Sequence, residues 1–289
     1  MSFLSIRDLS VRLKGGPPLL RRVSLEVAAG EVRGLVGESG AGKSMIGKAV
    51  LGILPPSVAV TGGQILLDGT DLLALPPAER RRRIGALAAL IPQDPLSALN
   101  PSHRIGPQIT DRLVDILGWT RADAIARARA LLDEVQIPDP GRVLRAYPHE
   151  LSGGMRQRIL IASAFAAAPK LIIADEPTTA LDVTVQKQIL RLIAGMQARH
   201  GTALLFVTHD LGVVSKVCQR LSVLYAGMVV EDTTVAAFFA APRHPYSAAL
   251  LAATPKYTDP SAGLNPVPDA VIAAIRAEVA AFDRAAKHG

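Results

Sequence analysis

A glycine-rich loop between an apolar stretch and a helical stretch constrains this 289-residue chain more than any other feature. It matches the pattern G-x-x-x-x-G-K-S/T, whose glycines let the backbone wrap a phosphate closely while several N–H groups point into one concavity. Residues 31–36 before it predict a strand, and residues 45–51 after it predict the start of a helix, which is the context that such a loop requires. The loop consists of Gly37, Glu38, Ser39, Gly40, Ala41, Gly42, Lys43 and Ser44.

Two side chains of this loop carry specific chemistry. Lys43 supplies a point charge for the outer phosphates of a nucleotide, and the Ser44 hydroxyl is placed to ligate Mg²⁺. A chance glycine-rich turn is the alternative, and it would produce this pattern in roughly one chain in a hundred of average composition. Two further segments of the chain make that alternative negligible.

The first of these segments is a second glycine-rich turn, at residues 151–157, that leads into a helix. Its Ser152, Gly153 and Gly154 lie where free backbone N–H groups and the helix dipole favour an anion. The sequence therefore predicts two places in one chain that suit phosphate oxygens.

The second segment is an apolar run, residues 171–174, followed by Asp175 and Glu176. Such a run predicts a buried strand that delivers the two acids to its carboxyl end. An isolated Asp-Glu pair is more often solvated or paired with a cation, but the apolar run before it and Pro177 after it favour a functional site here. Asp175 suits a Mg²⁺ ion, which takes one or two protein oxygens besides water and phosphates. Glu176 is placed to act as general base for a water molecule that attacks the γ-phosphate.

These three segments, in this order, resemble the ATP-binding subunit of ABC transporters. The resemblance implies an α/β fold, namely a RecA-like P-loop NTPase core with an antiparallel β subdomain and a helical insertion. It also implies ATP hydrolysis with ATP and Mg²⁺ as cofactors, coupled to solute translocation.

The same resemblance assigns roles to further residues. Asp175, with Ser44 and Gln93, is implied at the metal, and Glu176 is implied as the catalytic base. Gln93 is similar to the glutamine that touches the metal or the attacking water and reports to the membrane subunit. His209, which follows an apolar strand, is similar to the histidine that contacts the γ-phosphate; a lone histidine there would otherwise be structural.

The chain has one phosphate loop and one glycine-rich turn at residues 151–157, which corresponds to the signature turn of the family. It therefore carries one copy of each half of a nucleotide site. In the family these halves meet across a head-to-tail dimer, so that the signature turn of one subunit caps the γ-phosphate held by the other. We therefore expect a monomer that binds ATP but hydrolyses it slowly. The resemblance brings the following residues to the nucleotide from this side: Ser152, Gly153, Gly154, Gln157 and Asp182, the last at the end of the motif Ala180-Leu181-Asp182.

A narrower similarity links the chain to the dipeptide, oligopeptide and nickel importer group. It is carried by residues 93–101, by 147–150 before the signature turn, by 175–186 and by 243–251 with its Arg-His-Pro-Tyr-Ser motif. This implies import of a small solute, peptides as the first expectation and nickel chelates as the alternative. The implied partners are two membrane permeases, a second ATPase subunit in a homo- or heterodimer, and an extracytoplasmic solute-binding protein. Residues 100–109, beside Gln93, are the candidate docking surface for a permease.

Two departures from that group stand out. The family usually places an aromatic residue before the phosphate loop to stack on adenine, but residues 13–20 contain none, so base recognition must be aliphatic, backbone-based or weaker. Many relatives carry a cysteine cluster for an iron–sulfur centre after the His-Pro-Tyr motif. Cys218, upstream of that motif, is the chain's single cysteine, which excludes such a cluster by ligand count.

Composition restricts the remaining classes of function. A net charge of +7 and the run Arg80–Arg83 suggest binding to nucleic acid. However, aromatic residues are only 4% of the chain, and none alternate with the basic residues in a pattern that would stack on bases. We expect no nucleic acid, and a basic surface also suits a position beside an anionic leaflet. Without an apolar run of membrane-spanning length, a signal peptide or a disulfide pair, the expected place is the cytoplasmic face of the inner membrane, bound through partners.

The expected organisation is an ATPase domain over residues 1–257, with its helical insertion at about 100–160, followed by a helical tail over 258–289. Apolar residues at helical spacing in the tail, Val271, Ile275, Val279 and Phe282, predict a face that packs against its own domain or a neighbour. Two other functions stay open: a soluble ABC ATPase acting in translation or DNA repair, and a degenerate cassette that serves only as a scaffold. The first usually has two cassettes or a long coiled coil, and the intact Lys43, Asp175, Glu176 and His209 argue against the second.

Overall fold

The computed structural model describes residues 2–178, 182–254 and 267–288. Ala180 and Leu181 of the motif before Asp182, and the expected domain boundary near Thr258, lie outside these residues. Within them, ten strands form two sheets. The strands are β1 Ser2–Leu13, β2 Pro18–Ala28, β3 Val32–Val36, β4 Val58–Leu67, β5 Thr70–Asp71, β6 Ala88–Ile91, β7 Leu171–Asp175, β8 Ala203–Val207, β9 Arg220–Tyr225 and β10 Met228–Thr234.

The helices lie between and after these strands. They are α1 Lys43–Leu51, α2 Pro77–Leu87, α3 Pro95–Ala98, α4 Ile105–Asp115, α5 Arg121–Glu134, α6 Pro140–Val143, α7 Gly153–Phe165, α8 Val183–His200, α9 Leu211–Val217, α10 Val235–Ala240, α11 Pro245–Ala253 and α12 Asp269–His288, with a 3₁₀ turn at Pro148–Glu150. In the described part of the chain, no helix is both long enough and apolar enough to cross a bilayer.

The larger sheet has the order β10-β9-β3-β8-β7-β6, and its strands run parallel except for β10, which pairs antiparallel with β9. Parallel strands are joined by helical crossovers, so both faces of the sheet are covered, and its central strands are buried and mostly apolar, with the charged Arg33 on β3 as an exception. All five residues of β3 and of β8 are buried. The predicted parallel core is confirmed, and the structure adds two edge strands that were not predicted from the sequence, β6 and β10.

Alternate residues of the central strands face two separate hydrophobic cores. On β7, Ile172 and Ala174 join the core beneath the helices, whereas Leu171 and Ile173 join the core beneath the smaller sheet and α1. This alternation follows from the period of two along a strand. The molecule therefore has three layers, with the parallel sheet in the middle.

The smaller sheet is antiparallel, with the order β2-β1-β4-β5, and it forms the predicted β subdomain. Asp68 and Gly69 join β4 to β5 with φ values of 50° and 74°. Positive φ at both positions is the requirement of a two-residue hairpin turn, and the sequence Asp-Gly favours such a turn.

The helical insertion follows β6 and contains helices α3 to α6, as expected between Gln93 and the signature turn. Ile125, Ala128 and Leu132 have the spacing of one apolar face of α5, but Ile125 is 39% exposed, and Ala124 is buried in its place, together with Ala128 and Leu132. The helix ends at Glu134, shortly before Pro138 and Pro140, because Gln136 has a left-handed φ of 58° that cannot continue a right-handed helix.

Candidate functional site

Four of the parallel strands end at one edge of the large sheet, and each is followed by residues that the sequence analysis singled out. The phosphate loop follows β3, Asp175 ends β7, His209 comes soon after β8, and Gln93 comes soon after β6. Because these strands are neighbours in the order β3-β8-β7-β6, their carboxyl ends deliver the four groups to one place. Ligands bind at this edge in open α/β sheets.

The phosphate loop has a backbone that side chains would obstruct. Gly37 has a φ of 149°, and a Cβ added there would lie 2.1 Å from the carbonyl oxygen of Leu224. Gly42 has a φ of 102° and caps α1 in a left-handed conformation. Its added Cβ would lie 2.8 Å from a methyl carbon of Leu20. These glycines are thus needed by the packing of the loop itself.

Lys43 is nearly buried, with 4% of its surface exposed. Its ammonium group donates hydrogen bonds to the carbonyl oxygens of Gly37 at 2.7 Å and Glu38 at 2.9 Å, so it folds back over the loop. Burial lowers the pKa of Lys43, and the charges of Glu176, Asp175 and Glu38 oppose that shift. A cation held in this way at the mouth of a glycine loop is suited to a polyanion.

The Ser44 hydroxyl donates a 2.7 Å hydrogen bond to Oδ1 of Asp175, across 131 residues of chain. This pair joins the loop to the end of β7. A hydroxyl and one carboxylate are hard oxygen donors, and they fit a Mg²⁺ ion that takes its remaining ligands from water and phosphate.

Glu176 is the point on which the catalytic candidates converge. Its Oε2 accepts from Nε2 of Gln93 at 3.4 Å and lies 3.4 Å from Nδ1 of His209. The side chain of Glu176 is 15% exposed, while that of His209 is 59% exposed. Glu176 also has a left-handed φ of 45°, and its N–H donates to the Val207 carbonyl at the end of β8. Strain of this kind in a non-glycine residue is typical of functional sites.

An open cavity of about 340 Å³ occupies this edge. It contains side chains of both signs, since two lysines face one carboxylate. Its lining residues are Leu19, Ser39, Gly40, Gly42, Lys43, Ser44, Met45, Lys48, Gln93 and Glu176. Three of these residues, Leu19, Met45 and Lys48, were not predicted from the sequence. Lys48 is four residues after Ser44 on α1, and that helical spacing is the signal that would have identified it.

The signature turn lies at the start of α7. Ser152 caps this helix by accepting from the N–H of Met155 at 3.3 Å. An added Cβ at Gly153 or Gly154 would meet no atom within 4 Å, so both glycines border open space. The turn is therefore exposed, with helix N–H groups that lack intrahelical partners.

Gln157 and Asp182 have structural contacts inside this chain. Gln157 is 1% exposed, and its amide donates to the Pro177 carbonyl at 2.8 Å, which ties α7 to the segment after Glu176. Asp182 is the N-cap of α8, where its carboxylate accepts from the N–H groups of Thr184 and Val185. The expected contacts of these two residues with a nucleotide remain predictions.

Residues 20–179 match the family model described as ABC transporter. A "probable peptide ABC transporter ATP-binding protein" of Sinorhizobium fredii is 48% identical over 257 residues, covering 87% of this chain and 76% of the relative. A dipeptide transport ATP-binding protein of Escherichia coli is 43% identical over 274 residues, covering 94% and 84%. The solved structure of cbiO1 from Clostridium perfringens, part of the ABC transporter complex cbiONQ, has a TM-score of 0.72 at 24% identity, covering 86% of this chain and 95% of that chain. That structural likeness supports the fold alone.

Proposed function

This chain belongs to the ABC transporter family, and we propose that it is the ATP-hydrolysing subunit that energises import of peptides through membrane permeases. The names of its relatives supply the class of solute. The observation that carries the catalytic part is the convergence of Gln93 and His209 on Glu176, beside the bonded pair of Ser44 and Asp175.

In this proposal, the phosphate loop holds the triphosphate. Its backbone N–H groups cradle the β- and γ-phosphates, and Lys43 exchanges its bonds to the Gly37 and Glu38 carbonyls for phosphate oxygens. Mg²⁺, held by Ser44 and Asp175, would neutralise charge on the phosphates. Gln93 is proposed beside it, as the residue that reports nucleotide state to a permease.

Glu176 acts as the general base. Its carboxylate orients a water molecule in line with the γ-phosphate and accepts the proton that this water loses. His209 donates a hydrogen bond to the γ-phosphate as negative charge develops on it, and Gln93 holds the base from the other side. Phosphoryl transfer needs little covalent chemistry from the protein, so this positioning accounts for most of the catalysis.

The site is completed by a second ATPase subunit, identical or related. Ser152 and the N–H groups of Gly153 and Gly154 cap the γ-phosphate held by the opposite subunit. The open space beside both glycines supports this role, because a partner can approach without displacing any atom of this chain.

The remaining partners are two permeases and an extracytoplasmic solute-binding protein, with this chain peripheral on the cytoplasmic face of the membrane. The docking segment 100–109 divides into two parts in the structure. Ile105 and Ile109 are buried at 0% and 2% exposure, whereas residues 100–104 are exposed. The side chain of Gln108 braces that exposed part through hydrogen bonds to Asn100 and His103. We therefore limit the proposed docking surface to residues 100–104.

Purification of the tagged chain from membranes of its host tests this function. Recovery of two polytopic permeases with ATP turnover that rises steeply with subunit concentration is the expected result. Recovery of ribosomes or DNA in place of permeases would overturn the transport role. Equal specific ATPase activity at concentrations where the chain is monomeric and where it is assembled would overturn the proposal that a second subunit completes the site.

A further inference from the structure

A second cavity, of about 590 Å³, separates the start of β2 from the C-terminal helix α12. Pro17, Pro18 and Leu20 line it on one side, and Phe282 and Ala286 line it on the other. We propose that this cavity receives the adenine base of ATP and that Phe282 supplies the aromatic face on which the base stacks. The inference rests on the proposed function, since it assumes that ATP phosphates occupy the loop at residues 37–44.

The cavity wall and the phosphate loop are in direct contact. Leu19, between the cavity residues Pro18 and Leu20, also lines the phosphate cavity. Its carbonyl oxygen lies 3.3 Å from the position of a Cβ on Gly42. A nucleotide whose phosphates lie in the loop therefore has its base within reach of the second cavity.

Backbone hydrogen bonds lock this wall to the loop. The N–H of Arg21 donates to the Gly227 carbonyl at 2.8 Å, and the N–H of Gly227 donates to the Ala41 carbonyl at 2.8 Å. Gly227 thus links β2, which borders the second cavity, to the phosphate loop, and this link fixes the position of one cavity relative to the other.

Phe282 meets the chemical requirement of an adenine site. Residues 13–20 supply no aromatic ring. Among the described residues that line the second cavity, Phe282 is the one aromatic side chain. It is half-buried, which leaves part of the ring accessible. Stacking on an aromatic ring is the usual way in which proteins hold a base without reading its hydrogen-bonding edge.

Three contacts along α12 hold the helix that carries Phe282 in place. Ile275 is buried at 1% exposure against the core. Nε2 of His244 lies 3.3 Å from Oε2 of Glu278. Asp283, the neighbour of Phe282, accepts a two-pronged contact from Arg21, with Nε to Oδ1 at 2.7 Å and Nη2 to Oδ2 at 2.9 Å. Arg21 is a positioning residue in this arrangement, because it joins the phenyl-bearing helix to the strand that borders the phosphate loop.

A tryptophan in place of Phe282 provides a direct reporter. The chain has a single tryptophan, Trp119, in the helical insertion, so the full-length double variant Trp119→Phe, Phe282→Trp carries its one indole in the cavity. Titration with the non-hydrolysable analogue AMP-PNP and Mg²⁺ should change its fluorescence. Titration with inorganic tripolyphosphate should leave the fluorescence unchanged, although calorimetry detects its binding.

Affinity measurements on single variants test the energetic part. Phe282→Ala should weaken AMP-PNP binding about 10-fold, as expected for loss of one base–aromatic stack, and leave the dissociation constant of tripolyphosphate unchanged. Val279→Ala, one turn earlier on the same helix, is the matched control and should change neither. Phe282→Tyr should retain wild-type affinity.

The outcomes separate the two proposals. If neither ligand binds the wild-type chain, the phosphate site fails and the proposed function fails with it. If both bind but Phe282→Ala leaves AMP-PNP affinity intact, or weakens both ligands equally, Phe282 does not hold the base and the inference alone is overturned.

Discussion

The two glycine-rich turns of this chain look alike in sequence but differ in what requires their glycines. In the phosphate loop, an added Cβ on Gly37 would lie 2.1 Å from a backbone oxygen of the same chain. In the signature turn, an added Cβ on Gly153 or Gly154 would meet nothing within 4 Å. The first turn is thus dictated by its own fold, and the fold gives no reason for the glycines of the second. This contrast supports a role for Gly153 and Gly154 toward a second subunit.

The polar groups of the two turns show the same contrast. Lys43 and Ser44 are already held by the Gly37 and Glu38 carbonyls and by Asp175. At the signature turn, Ser152 satisfies one backbone donor as an N-cap. The other N–H groups in the first turn of α7 have no intrahelical acceptor, because that acceptor lies four residues earlier in a helix. The phosphate loop is therefore preorganised, while the signature turn is suited to a ligand that arrives from outside.

The largest expected effect tests whether Glu176, beside the preorganised phosphate loop, is the catalytic base. Glu176→Gln should lower ATP turnover by about 10³-fold, within the usual range for removal of a general base, while nucleotide affinity is kept. Turnover by phosphate release and binding by calorimetry measure the two effects. Lys43→Ala is the contrasting variant and should lose binding itself. Retention of most activity by Glu176→Gln would remove Glu176 from its proposed role.

The next effect tests the claim that the fold itself needs the glycines of the phosphate loop. Gly37→Ala forces a Cβ against the Leu224 carbonyl at a positive φ, so it should lower the free energy of unfolding by about 3 kcal/mol. Urea denaturation measures this change. Gly40→Ala is a useful control, because its φ of 80° is also positive but no atom lies within 4 Å of the added Cβ. A Gly37→Ala protein as stable as the Gly40→Ala protein would contradict the packing argument.

A third motif extends the comparison, because the His-Pro-Tyr segment has clear contacts within its own chain. The N–H groups of Arg243 and His244 donate to the two carboxylate oxygens of Glu231 at 3.0 and 3.1 Å. Burial opposes ionisation of Glu231, but these two donors, the Ser247 hydroxyl and the charge of His244 together outweigh it and lower the pKa of Glu231 below the ordinary value of 4.5. The carboxylate therefore stabilises the fold above that pH, and its contribution is lost as the pH falls through the lowered pKa.

Glu231→Gln should accordingly lower the free energy of unfolding by about 2 kcal/mol at pH 7, as expected for hydrogen bonds to a charged group. The difference from the wild type should shrink as the pH falls below 4.5, because the native carboxyl then becomes neutral too. Denaturation curves at several pH values measure this trend. A difference that grows toward low pH would have the wrong sign for this account.

Gly153→Ala should have the smallest effect on the free energy of unfolding. A small effect is expected if this glycine serves a partner subunit and not the fold of its own chain. The added methyl group meets open space at the first position of α7, so the free energy of unfolding should rise by up to about 1 kcal/mol, since the unfolded chain loses conformational freedom. Turnover of the assembled ATPase should nevertheless fall, while ATP binding by the isolated subunit stays unchanged. Unaltered turnover at saturating subunit concentration would contradict the partner-facing role.

Much of the site around the phosphate loop could be predicted, because the sequence patterns that indicate it are local. The strand before Gly37, the helix after Lys43 and the acids after β7 are each encoded within a few residues. These patterns predicted the position of the candidate site, but not the contacts between its side chains. The edge strand β6 escaped prediction because its four residues, Ala88–Ile91, are too few for a periodic pattern, and only pairing with β7 identifies it.

Other features depended on distant partners. Ile125 fits the apolar period of α5 but lies on the exposed side, because the neighbouring helices pack against Ala124 and Ala128. Gln157 belongs to a motif associated with nucleotide, yet its side chain is buried against Pro177. The spacing of apolar residues gives the face of a helix to within about one residue, and the packing partners decide the rest.

The sequence by itself determined that this chain has a phosphate loop, two acids at a strand end and the motifs of an ABC ATPase. These depend on short-range chemistry: glycines that permit a tight backbone, a cation beside them and an apolar run that must be buried. Only the tertiary structure decided that Gln93 and His209 meet at Glu176, and that Phe282 lies across a cavity from Pro17. Such contacts join residues far apart in the chain, and they arise from strand order and from ion pairs such as Arg21–Asp283, which no local pattern records.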